Sequence, residues 1–304
     1  MPENRQWKGK TNGGVFGQQF LLHTLRRVPV KVFYPVLYPI IPFCLLFARK
    51  TNRPIYQYYR KIWGLGKWSA FCGNVRTAFV FGRVVLDKFA LWAGNKKQFK
   101  IDLRQEDAQL IDQLLSQEKG FILAGSHIGN FELMGQAMEQ DRKSINCIIF
   151  GGESRIVQAH RDEVFEKNNV KLIPVSADMS HLFTIKEVLD KGEVVAILSD
   201  RMFDSNKKQT VNFLGQPADF PIGIFRIAAM LDIPVVSAFM LKGKGTRYHS
   251  QLLPLNCSTT EKSSTAKAGA LLQEYVHSLE SVLKEHPEQW FNFYDFWHQE
   301  SLRS

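Results

Sequence analysis

The sequence predicts an α/β protein: a mostly parallel central sheet flanked by helices, preceded by an amino-terminal helical membrane-associating segment. Three observations carry this expectation. Short apolar runs recur at FILAG (121–125), INCIIF (145–150), KLIPV (171–175) and VVAIL (194–198), with helical patterns between them. Strand and helix alternating at this spacing mark a parallel sheet covered on both faces. Residues 32–48 contain no charge, whereas both of their flanks are basic. Finally, 304 residues with 45% apolar content can bury one large core.

In chain order, residues 1–31 carry Arg5, Lys8, Lys10, Arg26, Arg27 and Lys31 but no apolar stretch ending in a small-residue cleavage site. The start is therefore expected to be retained and cytoplasmic. The stretch VFYPVLYPIIPFCLLFA (32–48) would reach roughly 25 Å as a helix, short of the ~30 Å hydrocarbon core. Pro35, Pro39 and Pro42 would kink or break it. Arg49, Lys50, Arg53, Arg60 and Lys61 follow it, so positive charge lies on both sides. That arrangement favours a re-entrant or in-plane segment over a true span or a buried core helix. Residues 68–92 show helical periodicity, with Trp68, Phe71, Val75, Phe79, Leu86 and Phe89 on one side and Arg76, Arg83 and Asp87 opposite. A helix packed on the main domain is expected there, with a lipid-facing interfacial helix as the alternative. The expected division is a membrane-associating helical region over 1–100 and an α/β domain over 101–304.

Within that domain a helix is expected at 106–118, stopped by Gly120, and others at about 130–140, 154–168 and 180–191. Beyond residue 200 the pattern predicts a strand at 210–214, a helix at 222–232, strands at 234–241 and 247–253, and a helix at about 265–285. Open parallel sheets place function beyond the carboxyl ends of their strands. The residues there are Ser126–His127, Gly151–Gly152–Glu153, Ser176–Ala177–Asp178 and Ser199–Asp200–Arg201. One rim thus gathers a histidine, several carboxylates and an arginine.

Composition narrows the chemistry. The net charge of +10 favours anionic partners such as nucleic acid, anionic lipid headgroups or an acidic carrier protein. Cys44, Cys72, Cys147 and Cys257 lie far apart without a Cys-x-x-Cys pair, which argues against a structural zinc site or a disulfide scaffold. The segment GSHIGNFE (125–132) sets His127 in the turn between strand and helix, with Glu132 five positions on. Gly125 and Gly129 permit a tight path by which Glu132 reaches back to one imidazole nitrogen. A carboxylate so placed fixes the tautomer and leaves the other nitrogen to take a proton. Two other classes stay open: a metal-dependent hydrolase using His127, Glu132, Asp200 and His181, though without standard zinc spacing, and a catalytically silent membrane-bound scaffold.

These blocks resemble the lysophospholipid acyltransferase superfamily, in particular its lipid A biosynthesis (lauroyl/myristoyl) acyltransferase-like branch. HIGNFE matches the hallmark His-x-x-x-x-Asp/Glu box. LSDRMF (198–203), VNFLGQPADFPIGIFRIAAMLDIPVV (211–236) and HPEQWFNFYDFW (286–297) match further blocks, so the resemblance covers roughly 115–300. The segment FEKNNVKLIPV (165–175) lacks the arginine usual there, leaving the acceptor open between a lipid A-like molecule and another bacterial membrane lipid. The resemblance implies acyl transfer from an acyl-carrier-protein or acyl-CoA thioester at the cytoplasmic face of the bacterial inner membrane, without a cofactor or metal and without nucleic acid. It implies His127 as base and Glu132 as its partner. Asp200 and Arg201 would place the acceptor, with Phe213, Gly215, Phe220 and Gly223 lining the substrate cleft.

Overall fold

Seven strands form one sheet. The structure, a computed structural model, describes residues 14–137, 143–149, 169–175, 180–202, 208–257 and 263–297. The four predicted apolar runs are β2 (Phe121–Gly125), β3 (Ile145–Ile149), β4 (Val170–Pro174) and β5 (Val194–Leu198). All four run parallel, with β5 between β2 and β3. On the other side of β2 lies β8 (Val235–Lys242), also parallel, and β9 (Arg247–Pro254) returns antiparallel to it. A three-residue edge strand, β1 (Lys100–Asp102), closes that side along β9.

Burial on both faces explains why β2 reads as an unbroken apolar run. Every residue of β2 is buried. Successive side chains point to opposite faces. Ile122 and Ala124 accordingly join a cluster with Phe225, Leu272 and Tyr275, while Phe121 and Leu123 join one with Ile111, Leu114 and Leu115. The helices Gly223–Leu231 and Ser264–Glu285 therefore cover the first face, and Gln105–Ser116 the second. Outside the main sheet, β6 (Lys208–Phe213) and β7 (Gln216–Pro221) form a two-stranded antiparallel hairpin. Its two-residue turn has Leu214 at φ 52° and Gly215 at φ 79°, the positive values that a twisted hairpin requires.

The amino-terminal segment changes helix type after Pro35, whereas Pro39 and Pro42, also expected to break it, lie within a continuous α-helix. Val30–Val36 is a 3-10 helix containing Pro35, and Leu37–Phe47 continues as an α-helix containing Pro42. The stretch Val30–Phe47 is long and apolar enough to cross a membrane, by length and composition only. It packs along the 26-residue helix Lys67–Trp92: Leu37 and Ile41 are buried against Ala78, and a Cβ added at Gly82 would lie 3.1 Å from Leu37. Asp87, read as part of that helix's polar side, is instead fully buried. Its carboxylate meets Lys242 Nζ at 2.8 Å and accepts hydrogen bonds from the hydroxyls of Tyr34 (2.7 Å) and Tyr248 (2.5 Å). A buried charge needs such partners to offset its desolvation. The network thereby ties the 3-10 segment to the long helix and to β8 and β9.

Candidate active site

The register of β2 against β5 assembles the site. Gly125 stands opposite Leu198, the last pair of the ladder. The Ser199 N–H then donates to the Gly125 carbonyl at 2.9 Å. Two residues past each strand, His127 and Asp200 arrive at the same level. Imidazole Nδ1 of His127 lies 2.7 Å from Asp200 Oδ1, and the His127 backbone N–H donates to Oδ2 at 2.9 Å. A third donor, the Trp290 indole N–H, also reaches Oδ2 at 2.9 Å. Tyr294 donates its hydroxyl to the Asp200 backbone carbonyl at 3.2 Å.

Electrostatics give the two groups distinct states. Burial works against the Asp200 carboxylate, but the adjacent His127, Arg201 and the Trp290 donor outweigh it and hold its pKa down at about 2. Asp200 is therefore ionised near neutral pH, and the proton between the pair belongs on His127 Nδ1. Burial also pushes the His127 pKa below the ordinary histidine value, opposed by Asp200 and reinforced by Arg201 and Lys88. Nε2 consequently keeps a free lone pair. The His127 side chain is 20% exposed and that of Asp200 only 1%. One group meets the solvent-side space while the other is sealed behind it.

The expected His127–Glu132 pairing is not the one formed. Glu132 accepts from the Trp92 indole N–H at 2.6 Å and faces Lys88 Nζ at 3.5 Å, both on the Lys67–Trp92 helix. Lys88 also lies 4.0 Å above the Phe131 ring. The reason is local geometry. After His127 the chain turns through Gly129 at φ 57°, where an added Cβ would lie 2.0 Å from the Met240 carbonyl oxygen. The Gly129 and Asn130 N–H groups bond Gln289 and Met240, stitching the turn to its neighbours. Glu132 then falls in a short 3-10 turn, Phe131–Leu133, that directs it to the long helix.

Asp200, expected to contact an acceptor, is spent on His127 and Trp290. Arg201 stands at the same rim, its guanidinium donating to the Phe291 carbonyl at 3.2 Å and lying 5.8 Å above the Tyr294 ring. Phe213 and Phe220, expected to line a cleft, are fully buried. Phe213 stacks on Trp297 and meets Trp290 edge-on, each ring pair 5.6 Å apart, so it supports Trp290 from behind. Gly215 is at the hairpin turn, and Gly223 opens the Gly223–Leu231 helix with free space where a Cβ would go. Residues 151–153 and 176–178, the other predicted rim groups, lie outside the described residues. A cleft bordered by Ile55, Tyr58, Ile62, Trp290, Phe296 and Trp297 adjoins the site.

Lys88, Trp92 and Trp290 were not anticipated as site residues. The signal that could have exposed the His127–Asp200 pair is the equal offset of the two residues from aligned strand ends. Nothing comparable marks Lys88 or Trp92, which approach from another element.

Among curated proteins, none matches the chain. The model of the bacterial lipid A biosynthesis acyltransferase family matches residues 75–299, from within the long helix to the carboxyl-terminal aromatic segment. That span takes in His127, Asp200 and Trp290 together, and the chain belongs to the bacterial lipid A biosynthesis acyltransferase family.

Proposed function

We propose that this chain moves a fatty acyl group from an acyl-carrier-protein or acyl-CoA thioester to a hydroxyl or amine of a lipid acceptor, with His127 as general base and Asp200 as its orienting partner. The observation that carries this reading is the His127–Asp200 contact at a sheet rim, with Nδ1 engaged and no hydrogen bond to Nε2 among the described residues. Nε2 takes the proton from the acceptor as its oxygen or nitrogen attacks the thioester carbonyl carbon. The tetrahedral intermediate collapses with cleavage of the C–S bond. The departing sulfur takes the proton back from the imidazolium, so acyl product and free thiol leave and the base is restored. Arg201, at the same rim, is suited to anionic groups of either substrate.

Because the base works only when neutral, kcat/KM should fall as pH drops below about 6.5 and stay level from there to about pH 8. The acid limb should lie below the ordinary histidine value, since burial disfavours the imidazolium. A pH series of thioester consumption with a defined lipid acceptor checks this, and a profile still rising between pH 7 and 8 would count against His127.

The reading places residues 1–100 at the cytoplasmic face of the bacterial inner membrane, with 101–304 forming the catalytic domain. Support comes from Val32, Val36, Ile40, Phe43 and Phe47, exposed at helical spacing, and from Trp68, which is 75% exposed. Exposed apolar residues flanked by Arg49, Lys50 and Arg53 suit an anionic lipid surface. Salt screens the charges but not the apolar contact. High salt should therefore leave most of the protein in the membrane fraction, with detergent needed for release; full release by salt alone would eliminate the apolar attachment.

A further inference from the structure

The aromatic cluster behind the site contains two tryptophans in different situations. Trp297 donates its indole N–H to a backbone carbonyl, that of Phe213, at 3.2 Å. Trp290 donates to the Asp200 carboxylate at 2.9 Å. An indole can only donate, so the direction of that bond is unambiguous. The rest of the surroundings are apolar rings: Tyr58, Phe213 and Phe296 all meet Trp290 within 5.6 Å between centroids. Packing alone would accept phenylalanine at such a position.

The backbone around Trp290 is fixed as firmly as its ring. Gln289 clasps the Lys242 main chain with both ends of its amide, accepting from the N–H at 2.7 Å and donating to the carbonyl at 3.0 Å. The Gln289 carbonyl accepts from the Gly129 N–H at 3.1 Å, and the Phe291 N–H donates to the His127 carbonyl at 2.9 Å. Trp290 thus sits between two strand-like bonds to the very turn that carries His127, directly opposite Ile128.

We propose that Trp290 is a positioning residue for acyl transfer: its indole N–H and the His127 backbone N–H share one carboxylate oxygen of Asp200, turning the other squarely onto the imidazole. This inference rests on the general-base reading of His127 and Asp200. The indole bond has a second effect. By stabilising the carboxylate it draws charge away from the oxygen facing His127, so it restrains the basicity of the imidazole. Without the bond, the imidazolium is better stabilised and the base stays protonated to higher pH.

The test compares Trp290→Phe with Trp297→Phe, a control that removes an indole of the same cluster without touching Asp200. Melting temperature, kcat, KM and the pH profile of kcat/KM are measured for both and for the unaltered protein. Trp290→Phe should move the acid limb upward by about 0.5–1 pH unit and lower kcat about 3- to 30-fold, with the thioester KM little changed. Trp297→Phe should lower the melting temperature comparably and leave the limb in place. An unmoved limb in Trp290→Phe, or an equal shift in both variants, would overturn the role of Trp290 while leaving the His127–Asp200 reading intact. Absence of any acid limb in the unaltered protein would overturn both. Should Trp290→Phe fail to fold, ¹⁵N-indole spectra of the unaltered protein decide. One indole N–H resonance should titrate with the midpoint of the limb and lose that response in Asp200→Asn; if none titrates, the inference fails.

Discussion

His127→Ala should yield a folded protein whose acyl transfer is slower by roughly 10²–10⁴-fold, the usual contribution of a positioned base. The substitution removes the only contact of Asp200 Oδ1 described above but keeps the backbone N–H and the Trp290 donor on Oδ2. The carboxylate therefore retains two of its three partners, and its new space is open to water because the imidazole was partly exposed. Loss of melting temperature should be small beside the loss of rate. The loss should fall on kcat, with the thioester KM nearly constant, since the base acts in the transition state and not in donor binding. Turnover within tenfold of the unaltered enzyme would remove His127 from the mechanism.

Asp200→Asn should cost nearly as much, on the order of 10²–10⁴-fold, with the shape of the residue preserved. An amide cannot hold the proton on Nδ1 as an anion does. Its NH₂ group would favour the other tautomer, which puts the proton on Nε2 where the acceptor needs a lone pair. Glu132→Gln is the matched comparison. Its carboxylate answers to Trp92 and Lys88 and not to the imidazole, so its effect on rate should stay within about tenfold, the weight of a hydrogen bond that only supports the turn. Measuring kcat for both variants beside their melting temperatures discriminates the two partners. A larger catalytic loss in Glu132→Gln than in Asp200→Asn would restore the pairing that the His-x-x-x-x-Glu spacing suggests.

That spacing shows where sequence reading succeeds and where it stops. Strand β2 was legible because it is buried on both faces and so appears as an apolar run, and β3 and β5 beside it are covered nearly as well. At the edge, β4 exposes Lys171 and Pro174 and was legible from its remaining apolar residues. The shared rim followed from the parallel order of those runs, and it brought Asp200 to the neighbourhood of His127. The partner of the imidazole was not legible, because it depends on register between strands 73 residues apart and on the path of a single glycine turn. Edge elements were hidden for a different reason. Lys100–Asp102 is short and polar, and Gln216–Pro221 contains two prolines and an aspartate, which strand interiors avoid. Asp87 read as a solvent-facing charge since its helix pattern cannot reveal Lys242 arriving from β8. Trp290 is a core residue whose indole N–H points out of that core onto Asp200, a role that no sequence pattern marks.

The threading of Gln289 and Trp290 into the His127 turn also governs how the enzyme comes into being. The Val30–Phe47 stretch is synthesised early, and the tryptophan that completes the carboxylate's bonding arrives only after β9 and the Ser264–Glu285 helix. Chains emerge and begin to fold from the amino terminus. A nascent chain therefore has its apolar segment well before the Asp200 carboxylate gains its Trp290 donor. The order of the polypeptide itself separates two events in time: the apolar stretch is made first, and the His127–Asp200–Trp290 arrangement can close only when nearly all of the chain is present.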